Sequence, residues 1–547
     1  MNSSPFTMMI RGRMHLIFAG LLATGGMVIS SAYGSSLRLS NMFTNHMVLQ
    51  QKHTDPIWGW GTPHRKVSLH FDGRTIRTTV NSLGQWIADL PVLPAGTKSY
   101  SLSVSSGNRT IKLHDILVGE VWICSGQSNM QYPMSGWFGR KNLAPLLAKA
   151  THPHIRLYQV PMLESNFSGY PLANAKARWQ ACSPKTVAPF SAVGYLFGRR
   201  LEKKLHVPVG LIESDWGGTN IEAWIPASGY RMVPQLRTDN QWLKKMLPLV
   251  VAGRSRYIAS IRRWARMAES SLKQNLALPP MPTLESDPIR RPHAFHYNIR
   301  PVGWQPDPHQ NPTTLFNGMI APLIPYGIRG VIWYQGENNV LTHDRRYGYH
   351  LEALINGWRK LWGQGNFPFY IMQIAPFKYW QGAAFEPLVW QGEEWAAEHM
   401  KNSGLVPTMD IGEINNIHPR NKPAAARRMA DLALARTYHL PGYTWSGAML
   451  KSAQVKAGRI TVHFMHTFGG LLVKGGGTPD DFEIAGSNGR FQPAQAQVHG
   501  RTVIVSSPVV KHPVMVRFAW SDIAVPNLFN RRGWPALPFQ WSAEPKQ

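Results

Sequence analysis

Cysteine is nearly absent: the 547-residue chain has only Cys124 and Cys182. Neither stands in a Cys-x-x-Cys pair, which argues against thiolate zinc sites and dithiol redox motifs. A disulfide between them and two buried free thiols both stay open, because spacing alone does not supply bridging geometry. Acidic residues are also scarce, with 30 Asp and Glu against 58 Lys and Arg, for a formal charge of +28. Such a field draws in anions of any kind. The basic residues nevertheless fall in short scattered groups, such as Arg199-Arg200, Lys203-Lys204 and Arg262-Arg263, and no nucleic-acid motif accompanies them, so no nucleic-acid partner is expected. Long apolar runs are confined to Leu16–Ile29, shorter than the roughly 20 residues a membrane span needs. Arg11 and Arg13 precede that run and Ala32-Tyr33-Gly34 follows it before Ser35. The pattern predicts a signal peptide over 1–34 and an exported protein, periplasmic or secreted, without stable membrane insertion once it is removed. No fixed-period repeat or low-complexity tract is present.

What the chain does have is 44% apolar residues and 21 Trp, enough for sizeable cores, on a length that predicts more than one domain. From 35 to 116 the apolar residues alternate, as in Val67, Leu69 and Phe71, with Asp72-Gly73 reading as a hairpin turn; this predicts an N-terminal β domain. From 117 to 440, apolar strands (Glu120–Ser125, Ile155–Val160, Val207–Ser214, Gly330–Tyr334, Pro368–Ile374, Val406–Ile411) alternate with helical patterns such as Tyr349–Trp362. That alternation predicts an α/β domain with a parallel sheet covered on both faces, whose ligands sit at the carboxyl ends of the strands. Residues 229–300 interrupt it as an insertion, helical and basic over Lys244–Glu269, then proline-rich, with His293 and His296 at a spacing too loose to specify a metal. Alternation returns over 441–547, in Ile460, Val462 and Phe464 for example, and predicts a C-terminal β domain.

Four segments that follow predicted strands carry the polar chemistry. Gly126-Gln127-Ser128 presents a serine just after an apolar strand, where a turn can project a hydroxyl or simply cap a helix. Trp216-Gly217-Gly218-Thr219 offers glycine N–H groups that a ligand can approach closely. Gln335-Gly336-Glu337 clusters polar groups at a strand end, costly unless they are paired or used. His418-Pro419 lies in a loop ahead of the helical pattern Ala424–Ala435. A serine with a histidine in reach is the minimum for nucleophilic acyl transfer.

These segments are similar to those of the sialate O-acetylesterase family, within the SGNH-type hydrolases. The likeness rests on Gly126-Gln127-Ser128-Asn129-Met130, on Trp216-Gly217-Gly218-Thr219 with Ile221-Glu222-Ala223-Trp224, on Trp333-Tyr334-Gln335-Gly336-Glu337, and on Ile417-His418-Pro419-Arg420-Asn421-Lys422. It extends to His46-Met47-Val48-Leu49-Gln50 and Phe190-Ser191-Ala192-Val193-Gly194-Tyr195. The resemblance implies a flavodoxin-like three-layer α/β/α domain and removal of O-acetyl groups from carbohydrate through an acetyl-serine, with no metal or cofactor. It implies Ser128 as nucleophile and His418 as base. It also implies an oxyanion hole from the N–H of Ser128, an N–H of Gly217 or Gly218, and the Gln335 amide, with Asn129, Trp216 and Arg420 as candidate substrate contacts. The acid of the triad departs from the family: Asn415 and Asn416 stand where Asp is usual. Either a carbonyl or Asn orients His418, or Asp410, Glu413 or Glu337 reaches it through the fold, with Glu337 favoured. Sialate, acetylated xylan, pectin or a bacterial exopolysaccharide would each suit the chemistry. A rival of another class is a non-catalytic carbohydrate-binding protein, in which the missing Asp marks an inactive site.

Overall fold

The computed structural model describes residues 36–137, 140–165, 177–274, 276–279, 310–379 and 385–543. The expected signal peptide and the pair His293 and His296 lie outside the described residues. The chain is a mixed α/β protein built around an eleven-stranded mixed sheet. Its parallel part consists of β1 (Arg109–Gly126), β2 (His152–Gln159), β3 (Val209–Asp215), β4 (Gly330–Tyr334), β5 (Phe369–Met372) and β6 (Ser403–Val406). They lie side by side in the order β2, β3, β1, β4, β5, β6, and Gln180–Cys182 adds an antiparallel edge strand beside β2. After β1 the chain fills one side of the sheet with β2 and β3, then crosses to the other with β4. The carboxyl end of β1 is therefore the topological switch point, where open parallel sheets leave a crevice.

Both faces of this sheet are packed. Along β4, Val331 and Trp333 join one apolar cluster while Ile332 and Tyr334 join the other, the alternation that pleating imposes. On the second face lie α2 (Ala192–Leu205) and α7 (Lys422–Arg436), through Val193, Phe197, Leu201, Met429 and Leu432. On the first lie α5 (Tyr347–Trp362) and α6 (Glu386–His399), through Leu351, Trp358, Val389 and Trp390. The turn-forming α1 (Ser128–Gln131) and α4 (Glu337–Leu341) stand directly after β1 and β4. The basic stretch near 244–269 lies inside one long helix, α3 (Arg237–Lys273).

Two expectations shift. The strand expected over Val406–Ile411 runs instead from Ser403 to Val406. Pro407 has no N–H to continue the ladder, and the chain leaves as a loop whose Thr408 is tied back to Gln373. The break expected between 116 and 117 falls inside β1, which spans 18 residues without interruption. Its first half pairs antiparallel with Gly96–Ser106, and its second half pairs parallel with β3 and β4. Within the N-terminal strands, Val67, Leu69 and Phe71 are buried, and Asp72 and Gly73 both take positive φ at the hairpin. Toward the C-terminus, two four-stranded antiparallel sheets bury Ile460, Val462, Val503 and Val505 in one and Val516 and Phe518 in the other. Cys124 and Cys182 are buried free thiols.

Candidate active site

The register of the sheet sets the site. Gly126 pairs with Asp215 on one side and Tyr334 on the other, so β1, β3 and β4 end level with one another. Ser128, Gly217 and the Gln335–Glu337 turn consequently emerge together. Gly126 has φ +143°, and a Cβ there would lie 2.1 Å from the Tyr334 carbonyl oxygen. Only glycine lets β1 turn this tightly against β4. The Tyr334 carbonyl accepts the Gln127 N–H at 3.0 Å, and Ser128 follows half-buried at the start of α1. Opposite it, a Cβ on Gly217 would stand 3.1 Å from the Ser128 Cβ, so the glycine leaves the serine its space.

The histidine loop, 407–421, closes the other side. It is pinned by the buried Arg428 of α7, which pairs with both Asp410 oxygens at 2.7 Å and donates to the Pro407 carbonyl. Within the loop, Glu413 binds the Arg420 guanidinium, and Asn416 accepts the His418 N–H at 3.1 Å. His418 is half-buried, and the exposed Trp137 meets its ring edge-on at 5.5 Å. Asn129, next to Ser128, joins the two halves: its amide donates to the Ile417 carbonyl at 2.9 Å and to Glu337, and its oxygen accepts from the Lys422 ammonium.

Electrostatics follow from burial. Desolvation, aided by the Lys422 charge, pulls the His418 pKa down to about 4. Desolvation also lowers the buried Lys422 to about 7, against the opposing pull of Glu337 and Glu413. Glu337 is raised by burial, with the Asn129 hydrogen bond and Lys422 restraining the rise. For Glu413, burial is outweighed by Arg420 and Asn416, and its pKa falls.

Several residues sit otherwise than the sequence suggests. Asn129 is fully buried with both its amide and its oxygen bonded within the protein, so it is not placed to touch substrate. Gln335 is also buried; its amide donates to the Thr219 carbonyl at 2.9 Å and to Asn339 at 2.7 Å, which commits both N–H bonds. The Gly217 N–H donates to the Gln131 side-chain carbonyl at 2.9 Å, while Gly218 is exposed with φ +70°. The Arg420 guanidinium is engaged by Glu413, at 2.8 Å. Trp216 is partly buried, its N–H donating to the Gly126 carbonyl. Of the acids considered for the triad, Asp410 is held by Arg428, Glu413 by Arg420 and Glu337 by Asn129. Asn415 is exposed. Sequence reasoning named Lys422 without giving it a role. One signal was available: a lysine opens α7, the helix end where a cation is least favoured.

A family model described as carbohydrate esterase, sialic acid-specific acetylesterase, matches residues 302–435. The sialate O-acetylesterase of Rattus norvegicus is 28% identical over 463 residues, 78% of this chain and 79% of that protein. The human enzyme is 27% identical over 456 residues, 78% of this chain and 75% of its own. A solved carbohydrate acetylesterase from Xanthomonas citri superposes with a TM-score of 0.75 at 29% identity, covering 93% of this chain and 100% of that one.

The chain is similar to the sialate O-acetylesterases, and residues 302–435 match the carbohydrate esterase model.

This esterase is accordingly a carboxylic ester hydrolase, and the matched region 302–435 includes β4, the Gln335–Glu337 turn and the histidine loop. Among its described residues no helix is long and apolar enough to cross a membrane.

Proposed function

We propose that the esterase removes O-acetyl groups from carbohydrate through an acetyl-serine intermediate, with Ser128 as nucleophile and His418 as base. The observation that carries this reading is the 2.9 Å bond from Asn129 to the Ile417 carbonyl, which holds the residues flanking Ser128 and His418 together at the sheet's switch point. Burial keeps the His418 imidazole neutral through ordinary pH, the state a proton acceptor needs. His418 takes the hydroxyl proton as Ser128 attacks the acetyl carbonyl carbon. The sugar oxygen leaves with that proton; water, deprotonated by His418, then attacks the acetyl-serine, and His418 returns the proton to the Ser128 oxygen as acetate departs. The charge on the carbonyl oxygen is met by the N–H groups of Ser128 and Gly217. The Gln131 carbonyl now on the Gly217 N–H occupies the acceptor position, and it gives way as substrate enters. Gly218 keeps the turn open, and Gln335 shapes the loop from behind instead of donating. The fold that goes with this chemistry is the flavodoxin-like α/β/α domain, with β domains at either end, in an exported protein.

The substrate follows from the relatives' printed specificity and from charge. Sialate esters lead, because a chain of +28 gathers an acidic sugar. Acetylated xylan or another polysaccharide is the second reading, favoured by the engagement of Arg420 with Glu413. Acetate release from O-acetylated sialate, xylan and pectin fragments, compared between wild type and Ser128→Ala, tests both points. One substrate should dominate and the variant should lose at least about a thousandfold. Full acetate release by Ser128→Ala would overturn the assignment.

A further inference from the structure

Asn415 and Asn416 stand where the family's aspartate is usual, and two buried ionisable side chains, Lys422 and Glu337, lie close to the histidine loop. Lys422 is 1% exposed, Glu337 1% and Asn129 0%. The Lys422 ammonium donates to the Asn129 oxygen and lies over the rings of Tyr132 and Tyr334, at 5.0 and 5.4 Å from their centroids. Glu337, opening α4, accepts from the Asn129 amide nitrogen, and its second oxygen is buried without a hydrogen-bond partner. One charge of each sign therefore acts on opposite ends of one amide. A cation on the oxygen and an anion on the nitrogen leave that amide a single orientation, the one in which its remaining N–H meets the Ile417 carbonyl.

Resting on the serine and histidine assignment above, we propose that Lys422 and Glu337 are positioning residues that lock the Asn129 amide, and that Asn129 in turn fastens the Ser128 turn to the His418 loop. Lys422 and Glu337 meet through the Asn129 amide and not directly, so each bears on that amide's orientation. The ammonium also opposes protonation of His418. The charged and titratable groups around this clamp include Glu413 of the histidine loop, Tyr132 after α1, Tyr334 at the end of β4, Tyr347 of α5, Tyr379, and Glu386 and Glu393 of α6.

The test compares Asn129→Ala, Lys422→Met, Lys422→Arg and Glu337→Gln in the full-length esterase on a chromogenic acetate ester. Near-UV circular dichroism confirms that each is folded. Asn129→Ala should lose about a hundredfold or more in kcat with KM within a few-fold, since geometry and not substrate contact is removed. Lys422→Met should move the acid limb of kcat/KM upward by about half a unit or more, and Lys422→Arg should restore it. Glu337→Gln is decisive and isosteric: its amide oxygen still accepts from Asn129, so the loss should stay below about a hundredfold, whereas neutralising a true triad acid costs about ten thousandfold. A hundredfold or greater loss in Glu337→Gln, a smaller loss in Asn129→Ala, or an unmoved acid limb in folded Lys422→Met overturns the clamp. Full activity in Ser128→Ala would instead overturn the underlying serine mechanism, so the two failures are distinguishable.

Discussion

At the scale of single residues, the chemistry depends on how burial sets protonation. As the proposed base, His418 acts in its neutral form, and desolvation with the Lys422 charge lowers its pKa to about 4. With the depressed value on the proposed base, activity should be present above it and lost as pH falls through it. The acid limb of kcat/KM should therefore lie near pH 4, well below the 6.5 of an unperturbed imidazole. A pH–rate profile with its acid limb at 6 or above would contradict this placement. Lys422 shows what the sequence does not display. Its number appears in the motif beside His418, but its burial against two tyrosines and Asn129 depends on how α7 meets β1 and β4. Contacts that join segments hundreds of positions apart have no local signature.

At the scale of elements, the histidine loop owes its shape to two ion pairs of unequal standing. The pair of Arg428 with Asp410 is largely buried, and Arg428 also satisfies the Pro407 carbonyl. The pair of Arg420 with Glu413 is far more exposed. Arg428→Met should cost about 3 kcal/mol by leaving a largely buried carboxylate unpaired, read as a lower urea midpoint with lost activity. Arg420→Ala should leave the midpoint unchanged, and a large shift there would reverse the ranking. The elements themselves were largely legible. Five of the six expected parallel strands lie within a few residues of their expected place or inside a longer strand, because strands buried on both faces read as continuous apolar runs. The sixth was misplaced because Val406–Ile411 is apolar enough to pass for a strand, while Pro407 ends the ladder. Serine and histidine were legible as types at strand ends. The partners of Gln335, Asn129 and Gly217 were not, because hydrogen bonds between loops depend on the register of β1 with β3 and β4.

At the scale of the whole molecule, the central sheet carries buried acid behind the site. Glu213 of β3 is raised by burial to about 8, against hydrogen bonds from the Ser191 N–H and Gln159. A carboxyl raised on folding contributes stability that is full below its unfolded value near 4.5 and is lost as pH rises through 8. Thermal denaturation should thus show a falling melting temperature across that window, and Glu213→Gln should flatten the fall. An unchanged slope in the variant would place the pH dependence elsewhere. The formal charge of +28 works on a longer range, gathering anionic ligands at low salt with less effect on the ester chemistry itself.

The central claim is that the turn after β1 presents the nucleophile. A fluorophosphonate ester, which phosphonylates only an activated serine, tests it most directly when the labelled peptide is located by mass spectrometry. The label should fall on Ser128, disappear in Ser128→Ala and weaken strongly in His418→Ala. Labelling of a different residue, or undiminished labelling and acetate release in Ser128→Ala, would contradict it.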